Sequence, residues 1–268
     1  MATVIEPQHS CEGSPQADPP FHWPAGWPLL SAQWRHLVML NYEVDPAVVA
    51  PLAPAGTELD FDRGKTYLSV VGFEFRRTRF MGLAVPFHVR FPEVNLRFYI
   101  RRRTADGWRR GVAFVRELAP RRAVAIVANW CYGERYLTVP MTSRIEGEDD
   151  GDGDGVPRRI EYGWRHEGRA SHVAVETDGP AQQPAAGSHE QFIIEHYWGY
   201  SSPRRAGAKE YAVAHRPWRI SPARSAELDC DAVALYGDQL AAFLVGRPES
   251  AFWVDGSAVR VYCGRRIQ

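Results

Sequence analysis

The runs FHVRFPEVNLRFYIRRR (87–103) and GVAFVREL (111–118) flank an Asp106-Gly107 pair. Both runs are dense in β-branched and aromatic residues, and Asp-Gly supplies the positive φ angles that a tight hairpin turn requires. A chain built this way is committed to antiparallel pairing, and the pattern recurs. TELDF, the turn Asp62-Arg63-Gly64 and KTYLSVVGFEFRRTRF read as another hairpin. YLTVPMTSRIEGE and RRIEYGWRHEG, on either side of an acidic loop, read as a third. HLVMLNYEV (36–44), ASHVAVETDG, KEYAVAHRPWRI and AFWVDGSAVRVYCG complete the strands, with Asp255-Gly256 as a turn signal in the last.

Helices are few. Asp45 is placed to cap a short one that has Pro46 at its first position. PRRAVAIVANWCYG carries Pro120 at a helix start and Gly133 at a C-terminal cap; its β-branched residues leave a strand open, and helix is favoured. SHEQFIIEHYWG begins with Ser188 and Gln191 at capping-box spacing. In DAVALYGDQLAAFLVG (231–246), Val233, Tyr236, Leu240, Phe243 and Leu244 recur near helical spacing and predict the clearest helix. The expected fold is mainly β, a barrel or double sheet with a few helices packed against it. Residues 1–20, rich in Pro, Ser and Gly, read as a disordered tail. Residues 21–268 read as a single domain without internal repeats.

Charge narrows the partners. The 32 acidic and 32 basic residues cancel, which argues against bulk electrostatic binding to nucleic acid or to an anionic membrane. The longest apolar runs are too short to cross a bilayer, and MATVIEPQHSCEGSPQ lacks the segments of a signal peptide, so a cytoplasmic protein is expected. Cys11, Cys131, Cys230 and Cys263 form no C-x-x-C pair; the last three are read as small core residues in a reducing compartment. A homo-oligomer is compatible with all of this.

Sequence motifs for metalloproteases, α/β-hydrolases, P-loops and dinucleotide sites are absent from the chain. His189 and His196 stand seven apart in the expected helix, where with Glu190 they could approach a metal; a polar or satisfied helix face is the simpler reading, and no metal or cofactor is assigned. His215 reads as a structural hydrogen-bonder. Asp150-x-Asp152-x-Asp154-Gly155 with Glu161 at the twelfth position matches the EF-hand pattern literally. Both flanks read as strands, however, so the 146–161 loop is taken as a solvated hairpin tip, with weak calcium binding left open. In FPEVNLRFYI, Glu93, Asn95, Arg97 and Tyr99 share one strand face beside apolar Val94, Leu96, Phe98 and Ile100. Such a polar face either meets water or lines an internal pocket.

QFIIEHYWGY, KEYAVAHRPWRI, LDCDAVALYG and SAFWVDGSAVRVYCGRR, together with GVAFVRELAPRRAVA…YLTVPM, resemble the YqjF-like family of uncharacterised proteins from about Trp34 onward. That family is distantly similar to the acetoacetate decarboxylase superfamily. The resemblance implies a mainly β barrel with a buried pocket. Decarboxylases of that type use a lysine in a Pro-Lys-Lys segment as a Schiff-base nucleophile. Here APRRA takes that place, so Arg121 stands for the lysine, and a guanidinium that stays protonated cannot attack a ketone. The chain has only Lys65 and Lys209. The resemblance further implies Arg35 as a substrate-carboxylate arginine and Glu93 as a pocket glutamate. Arg121 would then join Arg35 at a helix start to clamp a carboxylate, or else pair with Glu117. The expectation is a small-molecule protein that binds an organic acid through Arg35, Arg97, Tyr99 and Arg121, with Glu93 as acid/base. The alternative is a non-catalytic ligand-binding or scaffold protein on the same barrel.

Overall fold

A computed structural model describes residues 26–84, 89–120, 136–147, 155–202 and 207–267. The N-terminal tail, the helix expected after Pro120 with Arg121 and Cys131, and Asp150–Asp154 of the acidic loop lie outside the described residues.

Strand β1 (Leu30–Val44) ends where Asp45 caps α1 (Pro46–Val49), its carboxylate accepting from the Ala47 N–H at 2.8 Å. After the short β2 (Glu58–Leu59) come β3 (Thr66–Phe80), β4 (Leu83–Ala84), β5 (Phe91–Thr104) and β6 (Gly107–Ala119). The β5–β6 hairpin turns at Asp106-Gly107 as its sequence dictates. The expected TELDF hairpin is corrected. Only an Asp62–Lys65 bridge closes that turn, and β2 pairs with β5 instead of β3. β7 (Tyr136–Thr138) joins β6 in parallel, and β8 (Met141–Glu146) with β9 (Arg159–His166) forms the third hairpin. β10 (Arg169–Thr177), α2 (His189–Ile194), β11 (Trp198–Ser201), β12 (Lys209–His215) and β13 (Ile220–Asp229) follow. The chain then makes α3 (Ala232–Tyr236), α4 (Asp238–Ala241), β14 (Ser250–Val261) and β15 (Arg265–Arg266). The single helix expected over 231–246 is two short ones, because Gly237 adopts φ 82°, ψ 160° and breaks the helical backbone.

Seven strands close into a barrel, in the order β12-β11-β6-β5-β3-β1-β14 and back to β12. Every pairing in it is antiparallel except β6–β11. β14 also pairs with β13, which carries the sheet outward through β10 and β9 to β8. That wing folds over the outside of β1, β3 and β5. Alternation along these strands divides the apolar residues accordingly. Val38, Leu40, Leu68, Val70, Val94 and Leu96 pack outward against Tyr162, Val173 and their neighbours, whereas Leu37, Met39, Val71, Phe73 and Phe91 face into the barrel.

The turn expected at Asp255-Gly256 is not one, since β14 runs straight through it. Gly256, at φ 73°, lies so close to β1 that a Cβ there would sit 2.1 Å from the Trp34 carbonyl oxygen. The glycine marks close backbone approach, which a turn rule misreads. Gly72 on the outer face has a related role. A Cβ there would meet Tyr162 Cδ2 at 2.6 Å, and Tyr162 also donates to the His36 carbonyl at 2.9 Å. Gly72→Ala must push that ring off the barrel wall, an overpacking that costs about 1–3 kcal/mol. Chemical denaturation should show the loss, and an unchanged midpoint would refute the contact's importance.

The expected core placement of Cys263 is also corrected. It is exposed beyond the end of β14, while Cys230 is half-buried against the core. No helix among the described residues is long and apolar enough to cross a membrane.

Candidate functional site

Because β5 alternates, the polar face read from its sequence is turned into the barrel. Glu93, Asn95, Arg97 and Tyr99 are all buried. The first three line a cavity of about 190 Å³ to which every barrel strand contributes. Its walls are largely aromatic, including Trp34, Phe73, Phe75, Phe114 and Trp218. Three ladder irregularities shape it. One, between Arg35 and Val38, lets Trp34 and Leu37 both face inward although three residues apart. Another, opposite Leu96 and Arg97, does the same for Phe114 and Glu117 on β6. The third shifts the far end of β3, so that Phe75 and Thr78 both line the cavity. Each bulge resets the period-two alternation and re-aims a side chain.

Glu93 is the acid of this cavity. Its Oε2 accepts from the Tyr136 hydroxyl at 2.8 Å and its Oε1 from Asn95 Nδ2 at 3.2 Å. Burial pushes its carboxyl up from 4.5 to about 7, and the two hydrogen bonds only partly oppose the shift. Glu117 stands across the ladder from Asn95 and lines the same cavity.

Arg97 is the cation. It is 8% exposed, its terminal nitrogen donates to the Ile193 carbonyl at 3.2 Å, and its Nε meets no acceptor. The guanidinium lies 5.6 Å from the Tyr99 ring centroid. Among the described residues no carboxylate forms an ion pair with it, which is unusual because buried charges are normally paired. Other cavity groups share the condition. Trp34 Nε1, Thr78 Oγ1 and Asn95 Oδ1 are buried without a hydrogen-bond partner. Buried polar atoms are nearly always satisfied, so several such atoms on one cavity wall fit a site for a polar guest.

Two neutral imidazoles complete the wall. Burial, aided by nearby arginine charge, lowers His196 to about 4. Its Nε2 stands 3.8 Å from Asp60 Oδ2, too long for a hydrogen bond, while Arg110 holds Asp60 at 2.6 Å. His215 is likewise lowered to about 4 by burial. It stacks on Trp218 at 4.0 Å and on Tyr197 at 4.6 Å, and its Nδ1 bonds the Arg216 carbonyl.

Of the residues singled out from sequence, Glu93 and Arg97 line the cavity. Tyr99 faces the interior but lies off the lining; its hydroxyl is 2.6 Å from Ser69 Oγ. Arg35 is half-buried and also off the lining. Its ladder partner is Glu74, whose carboxylate is held by Arg76, Arg90 and Ser143 of the outer wing. Arg121 lies outside the described residues. His189 and His196 do not share a helix face, because α2 ends at Ile194. No group of three or more His, Cys, Asp or Glu side chains among the described residues could hold a metal. Glu161 bonds Arg159 at 3.1 Å in β9. Lys65 pairs with Glu43 at the surface, and Lys209 is not among the lining residues.

The family model of DUF2071, described as an uncharacterized conserved protein, matches residues 31–258. Among curated proteins, none matches the chain in sequence. Solved structures do match. The enduracididine biosynthesis enzyme MppR complexed with pyruvate superposes with a TM-score of 0.65 at 16% identity, covering 90% of this chain and 91% of that one. MppR complexed with the condensation product of pyruvate and imidazole 4-carboxaldehyde gives 0.62 at 16% identity, covering 89% of each chain. Acetoacetate decarboxylase from Legionella pneumophila gives 0.62 at 12% identity, covering 91% and 88%. At such identities the likeness establishes the fold, which is that of acetoacetate decarboxylase-like proteins.

Proposed function

The chain belongs to the DUF2071 family, and we propose that it takes a small organic carboxylate into its barrel cavity, Arg97 anchoring the carboxylate and Glu93 exchanging a proton with the bound molecule. One observation carries the reading. A buried guanidinium that has no carboxylate partner among the described residues shares a small cavity with a carboxyl group that burial moves up to about 7. Arginine offers paired donors to a planar carboxylate, and such charge-assisted bonds are strong in a dry site. A carboxyl near pH 7 is suited both to accept and to donate a proton at neutral pH. The aromatic walls would hold the apolar part of the ligand. The anchor expected at Arg35 moves to Arg97, and the part of Arg121 stays a proposal. Two unpaired thiols, Cys230 and Cys263, support work in the cytoplasm.

Imine chemistry is not part of this reading, because neither lysine lines the cavity. Pyruvate, the molecule bound in MppR, is the first ligand to try, with acetoacetate beside it. Thermal-shift titration should show stabilisation, and NMR in heavy water should show the ligand's α-protons exchanging faster with protein than without. Stabilisation without exchange would favour the non-catalytic binder instead. Borohydride added to protein and pyruvate should leave the intact mass unchanged. A reduced adduct on Lys209 would overturn the acid/base reading, since that lysine begins the strand that carries Tyr211, Val213 and His215 into the cavity.

A further inference from the structure

At the N-terminal end of α2, outside the lining of the barrel cavity, three residues far apart in sequence meet. His189 Nδ1 is 2.8 Å from Asp62 Oδ2, and His189 Nε2 is 2.8 Å from Ser250 Oγ. The direction of these bonds follows from their surroundings. Asn41 Nδ2 lies 2.9 Å from Ser250 Oγ and 3.4 Å from the Ser250 carbonyl, which can only accept. The amide nitrogen therefore faces Ser250, and its oxygen accepts from Ser69 Oγ at 2.6 Å. Ser250 Oγ accepts from Asn41 and has its own proton free to donate to His189 Nε2. Asp62, an acceptor when ionised, accepts from the Nδ1–H of His189 and so fixes the tautomer that leaves the Nε2 lone pair toward the serine. The Tyr67 ring, 4.7 Å from the imidazole, holds it in place. Asp62 and His189 side chains are only 11% and 16% exposed, so the relay is shielded from water.

Ser250 itself is half-buried and opens on a surface groove of about 550 Å³. Pro222 and Ala251, with the largely buried Ile220 and Phe252 behind them, give that groove an apolar part, and Glu190, Arg224, Arg247 and Glu249 line the rest with charge. We propose that Ser250, His189 and Asp62 form a nucleophilic site, separate from the barrel cavity, that cleaves short-chain carboxylic esters lying in this groove.

The chemistry closes without a cofactor. Ser250 Oγ attacks the ester carbonyl carbon as its proton passes to His189 Nε2. The ester C–O bond breaks, and the alcohol leaves with that proton. A solvent water then attacks the acyl-serine and gives a proton to Nε2. The acid departs and Ser250 recovers its proton. Asp62 keeps the imidazole oriented and stabilises its charged form.

Sequence alone could not reveal the site, since 127 residues separate Asp62 from His189 and another 61 separate His189 from Ser250. A fluorophosphonate probe added to the wild-type protein should give one covalent adduct, mapped by peptide mass spectrometry to Ser250. Hydrolysis of p-nitrophenyl butyrate should fall at least a hundredfold in Ser250→Ala and in His189→Ala. Absence of an adduct at Ser250 in the wild-type protein, which needs no variant to fold, overturns the proposal. So does a Ser250→Ala protein that hydrolyses the ester at the wild-type rate.

Discussion

Arg97→Met should abolish stabilisation by pyruvate or acetoacetate while leaving the unliganded protein at least as stable as the wild type. The two halves have one cause. The guanidinium is 8% exposed, and among the described residues its Nε has no acceptor and its one oxygen partner is the Ile193 carbonyl. An uncompensated charge in that position costs stability, and replacing buried charge by an apolar side chain of similar length is often neutral or stabilising by about 1–4 kcal/mol. Methionine keeps the inner part of the aliphatic stem but loses the terminal nitrogen that lies 3.9 Å from Met39 Sδ. The loss it does impose is the bond to Ile193, about 1 kcal/mol. In the complex the balance reverses, because the ligand's carboxylate would be left without its cation. Affinity should drop about a hundredfold or more, roughly 3 kcal/mol at 1.4 kcal/mol per decade. Calorimetric titration and melting curves on the same samples read both effects. Undiminished ligand stabilisation in the variant would place the carboxylate elsewhere.

Glu93→Gln should separate stability from chemistry across pH. The folded carboxyl titrates near 7 and the unfolded one near 4.5, because burial favours the neutral form. Its favourable contribution is therefore complete below pH 4.5, shrinks as pH rises toward 7, and is gone above. At 1.36 kcal/mol per pH unit this amounts to about 3 kcal/mol. Glutamine stays neutral throughout. The variant should match the wild type near pH 4 and exceed it by up to that amount at pH 8. Proton exchange on a bound ligand should fall by about 10²–10⁴, although the Arg97 anchor still holds the ligand. In the wild type, the rate of exchange should rise through pH 7. A stability difference that is flat between pH 4 and 8 would mean that Glu93 titrates as an ordinary carboxyl.

Sequence carried the strands and the polar face of β5 because both rest on local rules. Period-two alternation around a turn signal is readable residue by residue; it put Glu93 and Arg97 on one polar face, and the family resemblance pointed to Glu93 as a pocket residue. What escaped depended on contacts between distant segments. Glu117 enters the cavity because a bulge shifts β6 by one residue, and nothing in GVAFVREL marks that bulge. Arg35 misses the cavity because β1 is irregular just beyond it. Tyr136 reaches Glu93 from a three-residue strand that pairs in parallel with β6. β11 and β13 were missed: the first is four residues long, and the second carries a proline within an exposed, charged run. Gly256 was misread because a turn and a close strand crossing both call for glycine.

The closure of the barrel also gives it a mechanical grain. β1 and β3 share twelve paired positions, whereas β11 meets β6 through three and β12 meets β14 through three. The free energy of local opening is distributed as unevenly as those ladders. β1, β3 and β5 act as a fixed anvil that keeps Glu93 and Arg97 in register. The β11–β12 strip, which carries Trp198, Tyr211 and His215, is a hinged stave held by its edges. On the proposed function, a guest larger than the cavity should be admitted by that stave yielding, so tolerance for ligand size would reside in one wall and proton exchange in the other.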